Sequence, residues 1–235
     1  MVCHAASICV ESVRSPVSLV ARVQAHPSRR NIRGRLLAGL EGIPTEIIET
    51  DFDPPSPWGG YKACLESLVD VDCTHALILQ DDAICCRNLP LAAAEIARHT
   101  DVPVCLFMPM VSPAKRDAIQ AGARGEHYVE IQPRGFLPVV AVLWPKDKAM
   151  HFLEWSHDAP QLQRRNGLRI EHRSDDAMGY LWQRSQRQKA LATIPSLVQH
   201  PDDVPSTIAR KPGGRTALFW QGDDWDPMSV DWGVP

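Results

Sequence analysis

Two pairs of adjacent carboxylates and one histidine are the groups in this chain best suited to do chemistry together: Asp81-Asp82, Asp175-Asp176 and His200. Neighbouring carboxylates repel, and desolvation worsens the repulsion unless a cation or hydrogen-bond donors compensate. Hard oxygen ligands suit Mg²⁺ or Mn²⁺, which in turn bridge substrate phosphates. Asp82 is the first choice as metal ligand, and a neutral imidazole at His200 could complete the site. Asp175 and Asp176 follow Ser174 at the expected start of a helix. There the helix dipole and nearby N–H groups hold a carboxylate ionised. In a cleft, such a carboxylate could accept a proton from an attacking hydroxyl. Each group also has a plainer use. Asp81-Asp82 can open a loop, Asp175-Asp176 can cap a helix, and His200 can be an ordinary surface or core histidine.

Hydropathy patterning indicates the elements that must position these groups. Ala76-Leu77-Ile78-Leu79 is a continuous apolar run, as expected of a strand buried on both faces. Asp81-Asp82 stands where that strand ends, and ligands of open α/β sheets bind beyond the carboxyl ends of their strands. Residues 7–13 read as the first strand, 45–50 as the second, and 102–108 and 139–144 as further buried strands. A short amphipathic run precedes His26. Helical spacing covers 31–40, 61–69 and 91–98, a stretch opened by Pro145 and ending near Trp155, and 175–187 with Ser174 as N-cap. Residues 51–60 read as a rigid, turn-rich loop. Residues 109–134 read as a mobile excursion, 158–173 as an arginine-rich loop, and 194–200 as a short extended segment. Strands alternating with helices predict an α/β fold with a mostly parallel central sheet flanked by helices.

Composition narrows the function classes. The chain has 235 residues, 44% hydrophobic and 23% charged, with a net charge of −3. That is ordinary globular composition, without the basic field of a general nucleic-acid binder. No apolar stretch is long enough to span a bilayer, and the N-terminus lacks the pattern of a secretory signal. Seven cysteines without a CxxC pair suit a reducing, cytoplasmic setting. The 20 prolines cluster in loops between apolar runs, as in an enzyme-like fold with long loops.

The order of three motifs resembles a known superfamily. Gln80-Asp81-Asp82 ends an apolar strand. Ser174-Asp175-Asp176-Ala177-Met178-Gly179-Tyr180-Leu181 follows, and then Pro195-Ser196-Leu197-Val198-Gln199-His200. Together they are similar to GT-A-type glycosyltransferases that use nucleotide sugars, over roughly residues 5–205. The resemblance implies a single-domain, Rossmann-like GT-A fold over residues 1–210. The donor half would be about 1–110 and the acceptor half about 111–210, followed by an aromatic tail or lid at 211–235. It implies a Mn²⁺ or Mg²⁺ ion at Asp82 and His200, and a nucleotide-sugar donor, with a UDP-sugar as first choice. Asp176, or its neighbour Asp175, would be the base of an inverting transfer. Gln80 departs from the Glu-Asp-Asp form of the acidic motif. On the same resemblance His26, Arg29, Arg30, Asp51, Asp53, Gly60, Lys62, Gln80 and Asp81 are donor-site candidates. The acceptor could be a glycan, a small molecule or DNA. Arg164, Arg165, Arg169, Arg173, Arg184 and Arg187 would suit a polynucleotide acceptor such as a hydroxymethylated base, and equally a solvated helix face. A nucleotidyltransferase and a non-enzymatic nucleotide- or sugar-binding module are the alternatives.

Overall fold

A computed structural model describes residues 16–52, 56–133, 139–158, 174–201 and 216–233. Its centre is β3 (His75–Gln80), whose side chains alternate between two buried faces. Ala76 and Ile78 join one core and Leu77 and Leu79 the other, which is why this strand reads as an unbroken apolar run. Around it lie β1 (Leu19–Ala25), β2 (Thr45–Glu49), β5 (Val104–Cys105), β6 (Tyr128–Glu130), β7 (Ala141–Pro145) and β8 (Leu191–Thr193). The sheet order is β2-β1-β3-β7-β5-β8-β6. β1 pairs in parallel with both β2 and β3, and β5 with β8. β7 runs antiparallel to β3 and β5, and β6 antiparallel to β8. Five of the seven strands therefore point the same way. The protein is α/β, with a mixed, mostly parallel sheet.

Helices cover both faces. α1 (Arg33–Gly39) and α3 (Leu89–His99) bury Leu36, Leu89, Ala92, Ala93 and Ile96 against one face. The other face carries α2 (Pro57–Glu66), α4 (Lys115–Ala123), α5 (Lys146–Asp158) and α6 (Asp175–Ser185). An aromatic cluster forms beneath them. The Trp144 ring lies 5.5 Å from Phe152 and 5.4 Å from Trp182, and its Nε1 donates to the Tyr61 hydroxyl at 2.7 Å. Removing one such buried ring costs about 3–5 kcal/mol. A second, two-stranded sheet pairs β4 (Ile84–Cys85) with β9 (Val198–Gln199).

Several expectations are corrected. The strand expected at 7–13 lies outside the described residues, and the first described strand, β1, is the amphipathic run before His26, for which no strand was expected. Two polar residues on its α2-facing side, Arg22 and Gln24, obscure it in the sequence. Arg22 is buried yet satisfied, donating to Ser67 Oγ at 2.8 Å and to the Ala21 carbonyl at 2.9 Å. Residues 109–134 hold α4 and β6 rather than an unstructured excursion. Ala118 and Ala121 seat α4 on the core. The strand expected at 102–108 shortens to Val104–Cys105, because the Leu106 carbonyl turns to accept from Leu197 and Val198. α2 begins at Pro57, so Trp58, Gly59 and Gly60 form its first turn and not a loop. Pro145 ends β7 and α5 starts one residue later. In the described part of the tail, Trp232 is core, its Nε1 bonded to the Pro227 carbonyl at 2.9 Å. No helix among the described residues is long and apolar enough to cross a membrane.

Candidate active site

Asp81 and Asp82 leave the end of β3 into a turn where both are almost fully buried. Buried carboxylates demand partners, and the chain around His26 supplies those of Asp81. His26 opens the short 3-10 turn Pro27–Arg29, and its backbone N–H donates to Asp81 Oδ2 at 2.8 Å. The turn carries Arg29 inward. One guanidinium nitrogen, Nη1, donates to Asp81 Oδ1 at 2.9 Å and to Asp82 Oδ2 at 2.6 Å. Arg33, buried at the start of α1, holds the His26 carbonyl, pairs with Glu49 at 2.8 Å and lies 3.9 Å from Asp81 Oδ2. Both Asp81 oxygens are thus engaged within the protein. Asp82 Oδ1 is different: it is buried without a hydrogen-bond partner among the described residues.

His200 reaches Asp82 through the small sheet. β4 begins two residues after Asp82, its antiparallel partner β9 ends one residue before His200, and Cys86 N–H donates to the Leu197 carbonyl at 3.0 Å. This clamp places His200 Nε2 3.2 Å from Asp82 Oδ2. The other ring nitrogen, Nδ1, lies 2.9 Å from the Pro201 carbonyl. A carbonyl only accepts, so the N–H is on Nδ1. Nε2 then faces a carboxylate, which also only accepts, and the contact is favourable only with a second proton or a cation there. Burial alone would push the Asp82 carboxyl up. The His200 hydrogen bond and the charges of His200 and Arg29 outweigh it and hold the group below its ordinary value.

The second acidic pair sits at the head of α6. Ser174 occupies the N-cap position, but its side chain makes no capping bond. The carboxylates cap the helix instead: Asp175 Oδ1 accepts from Asp176 N–H at 3.0 Å, and Asp176 Oδ1 from Ala177 N–H at 2.8 Å. Asp175 is buried and Asp176 half-buried. Asp175 Oδ2 accepts from Gln80 Nε2 at 3.1 Å, and a further bond comes from Gln24. Among the described residues, no arginine or histidine contributes here. Burial first, then the neighbouring charge of Asp176, push the Asp175 carboxyl up to about 6 despite these donors. Gln80 thereby links the two acidic pairs, its backbone preceding Asp81 and its side chain bonded to Asp175. A glutamate at that position would set two buried carboxylates against each other, so the neutral amide is the form that fits.

The other candidates fall around this centre. His26 Nε2 lies 3.5 Å from the exposed Asp51 carboxylate and Nδ1 2.7 Å from Ser28 Oγ. Arg30 is exposed and paired with Glu49, whose carboxyl its hydrogen bond, with that of Arg33, draws down to about 2. Gly60 packs closely on β1: a Cβ there would lie 3.1 Å from Gln24 Nε2 and from Thr50 Oγ1. Lys62 pairs with Glu66 along α2 at 3.3 Å. The Ser56 hydroxyl takes the Gly59 N–H at 3.0 Å, so one donor of this helix end is already used. Of the arginine cluster, Arg184 donates to the Tyr180 hydroxyl at 2.8 Å. Arg164, Arg165, Arg169 and Arg173 lie outside the described residues, as does Asp53. Gln24 and Arg33 were missed by sequence reading. Gln24 sits two residues before the already suspected His26, on the same strand, which was the available signal.

The residues partly fit a divalent cation. Asp82 offers an unpartnered buried oxygen, and His200 donates from Nδ1 to a carbonyl, the usual posture of a metal-bound imidazole. Among the described residues, however, no group of three or more His, Cys, Asp or Glu is arranged to hold a metal. From these residues a cation would draw one oxygen and one nitrogen. No protein-family model matches the chain, and no curated protein matches it significantly.

Proposed function

We propose that this protein is a glycosyltransferase of GT-A type, which moves a sugar from a nucleotide-sugar donor, with a UDP-sugar as first choice, to an acceptor hydroxyl. The observation that carries this reading is the convergence of three motifs far apart in sequence. Asp82 meets His200, and Gln80 meets Asp175, beyond the carboxyl end of the central strand. The strand order, with an antiparallel β7 set into an otherwise parallel centre, suits the same fold.

In this reading the chain divides the labour between the two acidic pairs. A divalent cation held by Asp82 and His200 would supply positive charge to the leaving diphosphate. Asp81 fixes Arg29 and the His26 turn, and His26, Asp51 and Arg29 line the approach of the nucleotide. Asp176, the more accessible of its pair, takes the proton of the acceptor hydroxyl. Asp175, locked by Gln80 and Gln24, orients it. Holding donor and acceptor in line lowers the barrier by removing orientational freedom before the reaction.

The test is a calorimetric and thermal-shift screen of nucleoside diphosphates and nucleotide sugars, with and without Mn²⁺. Binding to the native state raises the melting temperature. A Mn²⁺-dependent shift with one nucleoside diphosphate is expected, followed by turnover of the matching nucleotide sugar. A folded protein that responds to none of them would contradict the assignment.

A further inference from the structure

We infer that Arg29 is the resident counter-cation of the Asp81-Asp82 pair, and that a divalent cation and this guanidinium compete for the same carboxylates. The inference rests on the glycosyltransferase reading for the cation at Asp82 and for what relieves the competition, and on geometry for the place of Arg29. Arg29 Nη1 stands within hydrogen-bond distance of one oxygen of each aspartate and so neutralises both at once. The Arg29 side chain is 12% exposed, and those of Asp81 and Asp82 are 4% and 1% exposed, so solvent screens the three charges little. The same Asp82 oxygen that receives Arg29 faces His200, the other arm of the candidate metal site. A divalent ion drawn to Asp82 therefore meets a fixed positive charge a few ångströms away, in a medium where repulsion is strong.

An incoming diphosphate resolves this conflict. Its oxygens match the guanidinium fork, so Arg29 can exchange the aspartates for the phosphates and leave Asp82 to the metal. Metal and diphosphate then bind with positive coupling, each removing an obstacle to the other. The protein holds metal weakly without donor, and product diphosphate and metal leave together. Arg29 acts as a positioning residue that sets the order of binding, with no covalent part in transfer.

The full chain is titrated with Mn²⁺ alone, free Mn²⁺ being read by electron paramagnetic resonance. Wild type is compared with Arg29→Gln, Arg29→Lys and the double variant Arg29→Gln/Asp82→Asn. Removing the charge is expected to tighten Mn²⁺ binding by about tenfold or more. Arg29→Lys stays near wild type, and the double variant loses the gain. An unchanged or weaker Mn²⁺ affinity in Arg29→Gln overturns the inference. If that variant does not fold in metal-free buffer, recovery of its melting transition on adding Mn²⁺ is the expected result, and no recovery overturns it. A tenfold gain in Arg29→Gln in a protein that binds no nucleoside diphosphate would uphold the competition while removing the glycosyltransferase reading.

Discussion

Asp81-Asp82 and Asp175-Asp176 are the same dipeptide at the same end of one sheet, and their surroundings make opposite groups of them. The first pair is ringed by positive charge and imidazole: Arg29, Arg33 at longer range, and His200. Among the described residues the second is held by neutral donors, the amides of Gln80 and Gln24 and the first N–H groups of α6. Asp82 is accordingly held below its ordinary value, and Asp175 is pushed up to about 6. Cations stand beside Asp81 and Asp82, whereas burial and the neighbouring charge of Asp176 act on Asp175. Environments of this kind drive groups of the same chemistry apart in proton affinity.

The contrast can be broken from either side. The largest expected effect is at Asp176: Asp176→Asn should lower transfer by ~10²–10⁴-fold while leaving donor binding intact, as measured by turnover and calorimetry in parallel. Next, Gln80→Glu would put a charge where the second pair tolerates none. It should destabilise the protein by about 3 kcal/mol near neutral pH in denaturant unfolding, with much of the loss recovered as pH falls below that of Asp175 protonation. Asp175 itself gives a pH signature. Its folded value of about 6 lies above the ordinary 3.8, so the native state keeps a proton that the unfolded chain releases. Its contribution is therefore unpenalised below pH ~4, declines as pH rises to 6 and is fully lost above, by roughly 3 kcal/mol. Asp175→Asn should remove that slope, and an identical slope in both proteins would mean that Asp175 is ionised throughout. The smallest effect is expected at Arg30, whose exposed pair with Glu49 is screened: Arg30→Ala should leave nucleotide binding within about threefold.

The two pairs were unequally legible in the sequence. The strand before Asp81 announced itself, because both its faces are buried and every residue from Ala76 to Leu79 is apolar. α1, α3 and α6 appeared with boundaries close to those observed, since each has one buried side and an ordinary period, and β2 appeared through its alternating pattern although none of its residues is buried. β1 did not, because buried Arg22 and half-buried Gln24 are polar residues whose partners, Ser67 and the α2 backbone, are remote in sequence. α4 was hidden by a weak apolar face built mainly from alanines. At the site, His200 lies 3.2 Å from Asp82, the residue with which it was expected to share a cation. What no local pattern could carry is the counter-charge. Arg29 was expected to meet the donor rather than the aspartates, and Arg33 drew no expectation, because only the fold closes their turn over Asp81.

The division of labour is tested most directly by measuring Mn²⁺-dependent binding of uridine diphosphate to wild type, Asp82→Asn and Asp176→Asn side by side. The cation anchor and the proton acceptor are separable only if the two substitutions act on different steps. The expected result is binding by wild type and Asp176→Asn with similar affinity, and a loss of ~100-fold or more in Asp82→Asn. Undiminished Mn²⁺-dependent binding by Asp82→Asn, or an equal loss in both variants, would contradict it.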